Sequence, residues 1–282
     1  MIALGFKGPD AEQGEAFERW LPLLRDAGFS WVEIRAPEEP NPAWEERLRR
    51  WREQFGLEFS VHARYSGVNL SSPNPKVRRA AVEVAREDLE FAVKIGARRL
   101  NLHAGDVNWY DVPPPDHPDH AWMIQELNRL RTRHLAAAAL SVAEIGEMAL
   151  AAGVEVLVEN LYKPWDLLLT PEEVRGFFEY LDQPAGFTLD TGHALVAGCS
   201  PMAFLHLLNS RIHHLHLHWN DGAFDVHNFP DPSEPPVRDF LKSIGRLNSS
   251  VVLVIEVVPG SPKGAIERFL EWPAQFCKLS DT

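Results

Sequence analysis

Short apolar runs alternate with longer amphipathic stretches from one end of the sequence to the other. The runs are residues 2–6 (IALGF), 31–35 (WVEIR), 57–63 (LEFSVHA), 98–104 (RRLNLHA), 153–159 (GVEVLVE), 185–190 (AGFTLD), 211–218 (RIHHLHLH) and 250–257 (SVVLVIEV). Their length and near-continuous apolarity fit strands buried on both faces, as in parallel sheets. Helical patterns lie between them, near 12–27, 42–54, 75–95, 121–151, 171–181, 200–208, 236–247 and 262–277. Asn41-Pro42, Asn74-Pro75, Thr170-Pro171, Ser200-Pro201 and Ser261-Pro262 each set a capping side chain before a proline suited to a first turn. Gly28, Gly56, Gly96 and Gly153 stand where helices should stop, just before the next strand.

Eight strand–helix units in 282 residues with no long linker predict a single α/β domain over 1–282, a parallel (β/α)8 TIM barrel. A doubly wound open sheet usually has fewer strands, and no glycine-rich fingerprint follows any run. The proline-rich segment 105–120 (GDVNWYDVPPPDHPDH) reads as a loop over the barrel's active face.

Forty acidic against 28 basic residues give a net charge of -12, which disfavours a phosphate-backbone partner. Two cysteines, Cys199 and Cys277, form neither a disulfide framework nor a CxxC site, so a reducing, cytoplasmic setting is expected. No apolar run approaches the ~20 residues of a membrane span and the N-terminus lacks a signal-peptide layout, so no membrane partner is expected.

In such a barrel the C-terminal strand ends carry the chemistry. His62 ends the third run, His103 the fourth, Glu159 the fifth and Asp190 the sixth, with His193 three residues on. His216 lies in the seventh, Asp225 and His227 in the loop after it, and Glu256 in the eighth. An acid within Val-Leu-Val-Glu159-Asn160 or Leu-Val-Ile-Glu256-Val is costly unless paired or metal-bound. Four carboxylates at one mouth would also repel each other without cations. Imidazole plus carboxylate without thiolate suits zinc, manganese, iron or cobalt, so one or more divalent metal ions are expected.

Other features read more plainly. His214 and His218 share the inward parity of His216, whereas His213 points outward. His117, His120, His134 and His206 read as loop or helix-surface residues. The basic clusters at Arg47–Arg52 and Arg129–Arg133 read as solvated helix faces. Trp109, Tyr110, Trp165 and Trp219 fall in loops after strands, where rings can stack on a sugar or a base. Trp20, Trp44, Trp51 and Trp272 lie on helices and offer a possible homodimer face or ordinary packing.

The stretches Val61-His62-Ala-Arg-Tyr65-Ser-Gly-Val-Asn69-Leu70, Asn101-Leu-His103-Ala-Gly105, Val158-Glu159-Asn160, Leu189-Asp190-Thr191-Gly192-His193-Ala194, His214-Leu-His216-Leu-His218, Asp225-Val-His227 and Ile255-Glu256 together resemble the xylose isomerase-like barrel superfamily. That superfamily includes ketose 3-epimerases, sugar phosphate isomerases/epimerases and type IV apurinic endonucleases. The resemblance to the epimerases implies one divalent metal held by Glu159, Asp190, His216 and Glu256, with the two glutamates also acting as acid and base. The resemblance to the endonucleases implies three zinc ions. His62, His103 and Glu159 would surround one, Asp190, His216 and Glu256 with bridging Glu159 a second, and His193, Asp225 and His227 the third. Tyr65 matches a tyrosine that lies near DNA in those enzymes.

Two departures stand out. Phe229-Pro-Asp-Pro-Ser-Glu-Pro-Pro236 replaces the Gly-Glu-Gly that usually follows the Asp-x-His element, and Asn220-Asp221-Gly222 stands where ketose epimerases carry a substrate-binding Arg. The expectation is a divalent-metal isomerase or epimerase of a small sugar, sugar phosphate or related hydroxy-carbonyl compound. Glu159 and Glu256 would be catalytic, and Tyr65, Asn69, Trp109, Trp165 and Trp219 would bind substrate. The alternatives are a zinc-dependent abasic-site phosphodiesterase acting on DNA and a non-catalytic sugar- or metal-binding barrel.

Overall fold

In the computed structural model, which describes residues 2–109, 111–245, 247 and 250–280, eight parallel strands close into a barrel in chain order, with the first pairing the last. They are β1 Ala3–Lys7, β2 Phe29–Arg35, β3 Glu58–His62, β4 Arg99–His103, β5 Glu155–Glu159, β6 Gly186–Asp190, β7 Ile212–Leu217 and β8 Val252–Ile255. All eight predicted runs contain a strand, because an apolar segment buried on both faces has nowhere to lie but inside the ring.

The helices are α1 Gly14–Phe17, α2 Leu21–Ala27, α3 Pro42–Phe55, α4 Pro75–Ile95, α5 His120–Ala152, α6 Pro171–Tyr180, α7 Thr191–Val196, α8 Pro201–Leu208, α9 Pro235–Ile244 and α10 Ile266–Ser280. Asn41, Asn74 and Thr170 accept backbone N–H bonds as side-chain caps. Gly28, Gly56, Gly96 and Gly153 each take positive φ at a helix C-terminus. The rest of the punctuation differs. The pattern at 12–27 is broken into short 3-10 and α segments, with Pro22, which has no N–H to donate, in the first turn of α2. Ser261-Pro262 opens no helix: a turn in which the Gly260 N–H bonds the Gly264 carbonyl delays α10 to Ile266. Helix α7 was not predicted; it starts where the Asp190 side chain accepts the His193 N–H at 2.7 Å.

Among the described helices α5 alone is long and apolar enough to cross a bilayer by length and composition. Its apolarity is used in packing: Leu127, Ala138, Val142, Ile145 and Ala149 are buried against the barrel and its neighbours. Trp44, Trp51 and Trp272 are core residues, so they offer no face to a second copy. His134, read as surface, is buried against Ser71 Oγ at 3.3 Å.

Candidate metal centre

Strand register sets the site. His103 pairs with Glu159 across β4 and β5, and Asp190 pairs with His216 across β6 and β7, so four donor side chains stand at one level. Glu256 directly follows β8, its N–H bonded to the Leu217 carbonyl. His193 comes from α7, and Asp225 and His227 from the loop after β7. His227 sits at φ +47°, in the left-handed region that non-glycine residues seldom adopt. Glu159, Asp190 and His216 are buried completely or nearly so.

The nine sequence-predicted ligands come together at this end of the barrel, with His218 joining Asp190 and His193 on one side and Asp225 and His227 on the other. His62 Nε2 and His103 Nε2 lie 3.4 and 3.5 Å from Glu159 Oε2. His216 Nδ1 lies 3.1 Å from Glu159 Oε1, 3.7 Å from Asp190 Oδ2 and 3.6 Å from Glu256 Oε2. His193 Nε2 and His227 Nε2 lie 3.5 and 3.1 Å from Asp225 Oδ2.

The histidine tautomers show what these groups need. His62 Nδ1 donates to the Ala63 carbonyl at 2.9 Å, His193 Nδ1 to the Asn160 carbonyl at 2.9 Å, and His227 Nδ1 to the Glu256 carbonyl at 3.0 Å. A carbonyl can only accept, so each Nδ1 carries a proton, and a ring holding that proton alone turns its Nε2 lone pair toward a carboxylate. Lone pair facing carboxylate is repulsive unless a proton or a metal ion lies between them. Carbonyl-anchored imidazoles are also the usual outer support of metal-binding histidines. In addition His103 Nε2, His218 Nδ1, Asp225 Oδ1 and Glu256 Oε2 are buried and find no hydrogen-bond partner. Buried polar atoms are rarely left so. A nitrogen–oxygen donor set with orphaned atoms turned inward fits divalent first-row metals.

Electrostatics agree. Burial would raise the Glu159 carboxyl, yet His216, His103 and His193 hold it well below the ordinary range. For Glu256 burial is outweighed by Lys7 and then by His216 and His227. His227 rises to about 8 against its own burial because Asp225 and Glu256 face it.

The supporting residues explain the Asp190-Thr191-Gly192-His193 element. Thr191 Oγ1 donates to the His218 carbonyl at 2.7 Å, tying α7 to the end of β7. A Cβ on Gly192 would stand 1.9 Å from the His218 ring, so only glycine leaves room for that imidazole. His218 Nε2 in turn donates to Asp190 at 3.0 Å, and its ring stacks on His227 with centroids 4.0 Å apart. Glu33 of β2 lies beneath: Ser60 Oγ donates to it at 3.0 Å, His216 Nε2 lies 2.7 Å from it and His214 Nε2 3.2 Å.

A cavity of about 430 Å³ opens over the cluster, lined among others by Tyr65, Tyr162 and Trp165. Tyr65 stacks on His103 with centroids 4.7 Å apart. The other expected substrate contacts lie elsewhere. Asn69 spends its amide on Asp106, Asn108 and Ser71 and holds two loops together. Trp109 and Trp219 pack against the core outside the cavity lining, and Tyr110 lies outside the described residues. Sequence reasoning missed Lys7, whose Nζ donates to Glu256 Oε1 at 2.9 Å, as well as Glu33 and the part played by His218. Glu33 was detectable, since an acid within Trp-Val-Glu-Ile-Arg is as anomalous as the acids of β5 and β8.

The profile of the xylose isomerase-like TIM barrel family matches residues 21–274. An uncharacterised protein of Methanocaldococcus jannaschii is 24% identical over 204 residues, 72% of each chain. A probable endonuclease 4 of Solibacter usitatus is 29% identical over 165 residues, 56% of this chain and 50% of that protein. Among solved structures, a D-tagatose 3-epimerase-like protein superposes with a TM-score of 0.75 at 22% identity, covering 99% of this chain and 98% of that one. At that identity the likeness is one of fold.

Proposed function

The chain belongs to the xylose isomerase-like TIM barrel family, and on that premise we propose that it is a divalent-metal-dependent isomerase or epimerase of a small hydroxy-carbonyl compound, such as a sugar or sugar phosphate. The observation that carries this reading is the cavity over the ligand cluster. At about 430 Å³ it has the size of a small-molecule site, and Glu159 and Glu256 both line it.

Glu159, Asp190, His216 and Glu256 would hold one ion, and zinc or manganese suits that set. A bound divalent cation supplies electrophilic stabilisation to neighbouring carbonyl and hydroxyl oxygens. The protein's own groups do the rest. Glu256 is held ionised and takes the proton from carbon next to the carbonyl. For isomerisation it returns that proton to the adjacent carbon while the hydroxyl proton passes to the former carbonyl oxygen. For inversion Glu159 first takes a proton from solvent and gives it to the opposite face, and Glu256 releases its own to solvent. Such transfer is worth about 10²–10⁴-fold in rate. Tyr65, Tyr162 and Trp165 offer ring faces to the sugar's apolar side and narrow the access of water.

The test is solvent exchange. Metal-loaded protein is incubated in deuterium oxide with a panel of ketoses, aldoses and their phosphates, and deuterium at the carbon next to the carbonyl is followed by NMR. Exchange in the wild type and its loss in Glu256→Gln, with the fold intact by circular dichroism, is the expected result. Absence of exchange across the panel would remove this reading.

One observation favours a second reading, phosphodiester hydrolysis at abasic DNA. Asp225 and His227 gather with His218 in a further candidate metal group, and His193 Nε2 lies 3.5 Å from Asp225, so side chains matching the third endonuclease zinc site stand beside the other two groups. Incision of an abasic duplex by protein carrying three zinc ions per chain would establish it. A negative incision assay with fully loaded protein would dismiss it.

A further inference from the structure

Lys7 enters no part of the family resemblance drawn from the sequence. It is the last residue of β1, it lines the cavity together with Glu33, Glu159 and Glu256, and 39% of its side chain is exposed. Its ammonium has three N–H donors. Among the described residues one partner takes one of them, Glu256 Oε1 at 2.9 Å. Two donors are left without a protein acceptor among the described residues, on a side chain that lines the cavity.

The other basic side chains of the cavity lining are differently placed. Arg35 donates to Glu38 at 3.2 Å, and its guanidinium lies over the Tyr65 ring at 5.4 Å from the centroid. Lys163 is exposed and lies over Tyr162. Of the three, Lys7 alone is bonded to a side chain of the ligand cluster. A lysine present only to neutralise Glu256 would have its remaining donors absorbed by protein acceptors, as those of the buried Arg99 are: Nε meets Glu155 Oε2 at 2.9 Å, and Nη1 and Nη2 meet the carbonyls of His213 and Ser250, each at 2.7 Å. Lys7 also divides Glu256. It engages Oε1 and leaves Oε2, the orphaned oxygen, turned to the metal-facing side.

We propose that Lys7 is a catalytic residue that binds an anionic oxygen of the substrate through the two N–H groups it keeps in the cavity, while the third fixes Glu256. The oxygen is either a phosphate oxygen carried by the substrate or the oxyanion that develops when the proton leaves. The chemistry is one: a cation preorganised beside negative charge at the edge of the cavity. The inference rests on the cavity being the reaction site, as proposed above, and on neither choice of reaction.

The experiment compares wild type with Lys7→Met after loading both with metal and measuring metal per chain by mass spectrometry. Inorganic phosphate is titrated into each by calorimetry, and deuterium exchange is measured with a ketose that carries no phosphate. With metal content unchanged, at least tenfold weaker phosphate binding in the variant identifies a phosphate-holding lysine. With metal content unchanged, exchange slowed about 100-fold or more identifies a lysine serving the developing oxyanion, the scale seen when one oxyanion donor is removed. Either result supports the proposal, and Lys7→Arg should recover part of it. Equal phosphate binding and equal exchange overturn the proposal. So does loss of metal in Lys7→Met, because Lys7 would then act only through Glu256. If the wild type exchanges no sugar, the isomerase reading has failed and the phosphate arm alone decides about Lys7.

Discussion

The two ends of the barrel both bury charge, and they handle it in opposite ways. At the N-terminal end Arg99, Glu155 and His213 form a closed account. Arg99 uses Nε, Nη1 and Nη2 on protein acceptors and lies over the Trp31 ring, while Glu155 accepts from both Arg99 and His213. At the C-terminal end imidazoles and carboxylates face each other across 2.7–3.8 Å, with donor atoms left over. A buried network made for stability satisfies itself. One made for a ligand leaves the ligand's share undone.

Stripping and restoring metal should separate the two ends most strongly. An ion at a thousandfold excess over its Kd stabilises by about 4 kcal/mol. At about 2–4 °C per kcal/mol for a chain of this size, chelation should lower Tm by about 8–16 °C per ion. Calorimetry with and without chelator, followed by zinc or manganese add-back, reads this directly. An unchanged Tm would mean that the C-terminal cluster is satisfied by protons alone.

Arg99→Met tests the other end. Removing one partner of a buried pair costs about 3–5 kcal/mol, and about 2–3 here because Glu155 keeps a third of its side chain in water. The loss should be the same in loaded and stripped protein, with metal content untouched. A metal-dependent loss would show that the two ends are coupled and undo the contrast.

The smallest effect concerns Asp166, a cavity carboxyl outside the ligand groups. Burial raises it to about 6 against the backbone N–H of Lys163. Its folded value lies above its ordinary one, so the folded state holds the proton more tightly, and stability falls as pH climbs from about 4 through 6. Asp166→Asn should therefore gain about 1 kcal/mol above pH 6, discounted from the full shift because the residue is partly exposed, and gain nothing near pH 4. Paired melts at pH 4 and pH 7 measure the difference. An equal gain at both values would assign the effect to packing.

The barrel was largely legible because both of its signals are local. Apolar runs mark strands, and Asn41, Asn74, Gly96 and Gly153 mark helix ends by their own side chain or lack of one. The nine clustered positions were conspicuous for a related reason, since an acid or histidine at the end of a buried strand stands out wherever the chain later goes. Lys7 was not, because a basic residue closing a strand looks like an ordinary boundary until β8 brings Glu256 beside it. His134 was misread because the pattern of α5 does not tell which polar residue meets Ser71. Asn69 and Trp219 looked like ligand contacts because loop residues carry no mark of whether they face a cavity or another loop.

The dispersal of the ligands along the chain has a consequence for assembly. The group of Glu159, Asp190, His216 and Glu256 draws its side chains from β5, β6, β7 and the residue after β8. An ion held by those four could not serve as a seed around which the first half of the polypeptide gathers, as it does in small zinc modules. The site comes into existence only when the last strand closes the ring against the first. On the proposed reading metal would enter after the ring has closed, with the cavity as the way in, and a folded, empty protein would make the choice of ion.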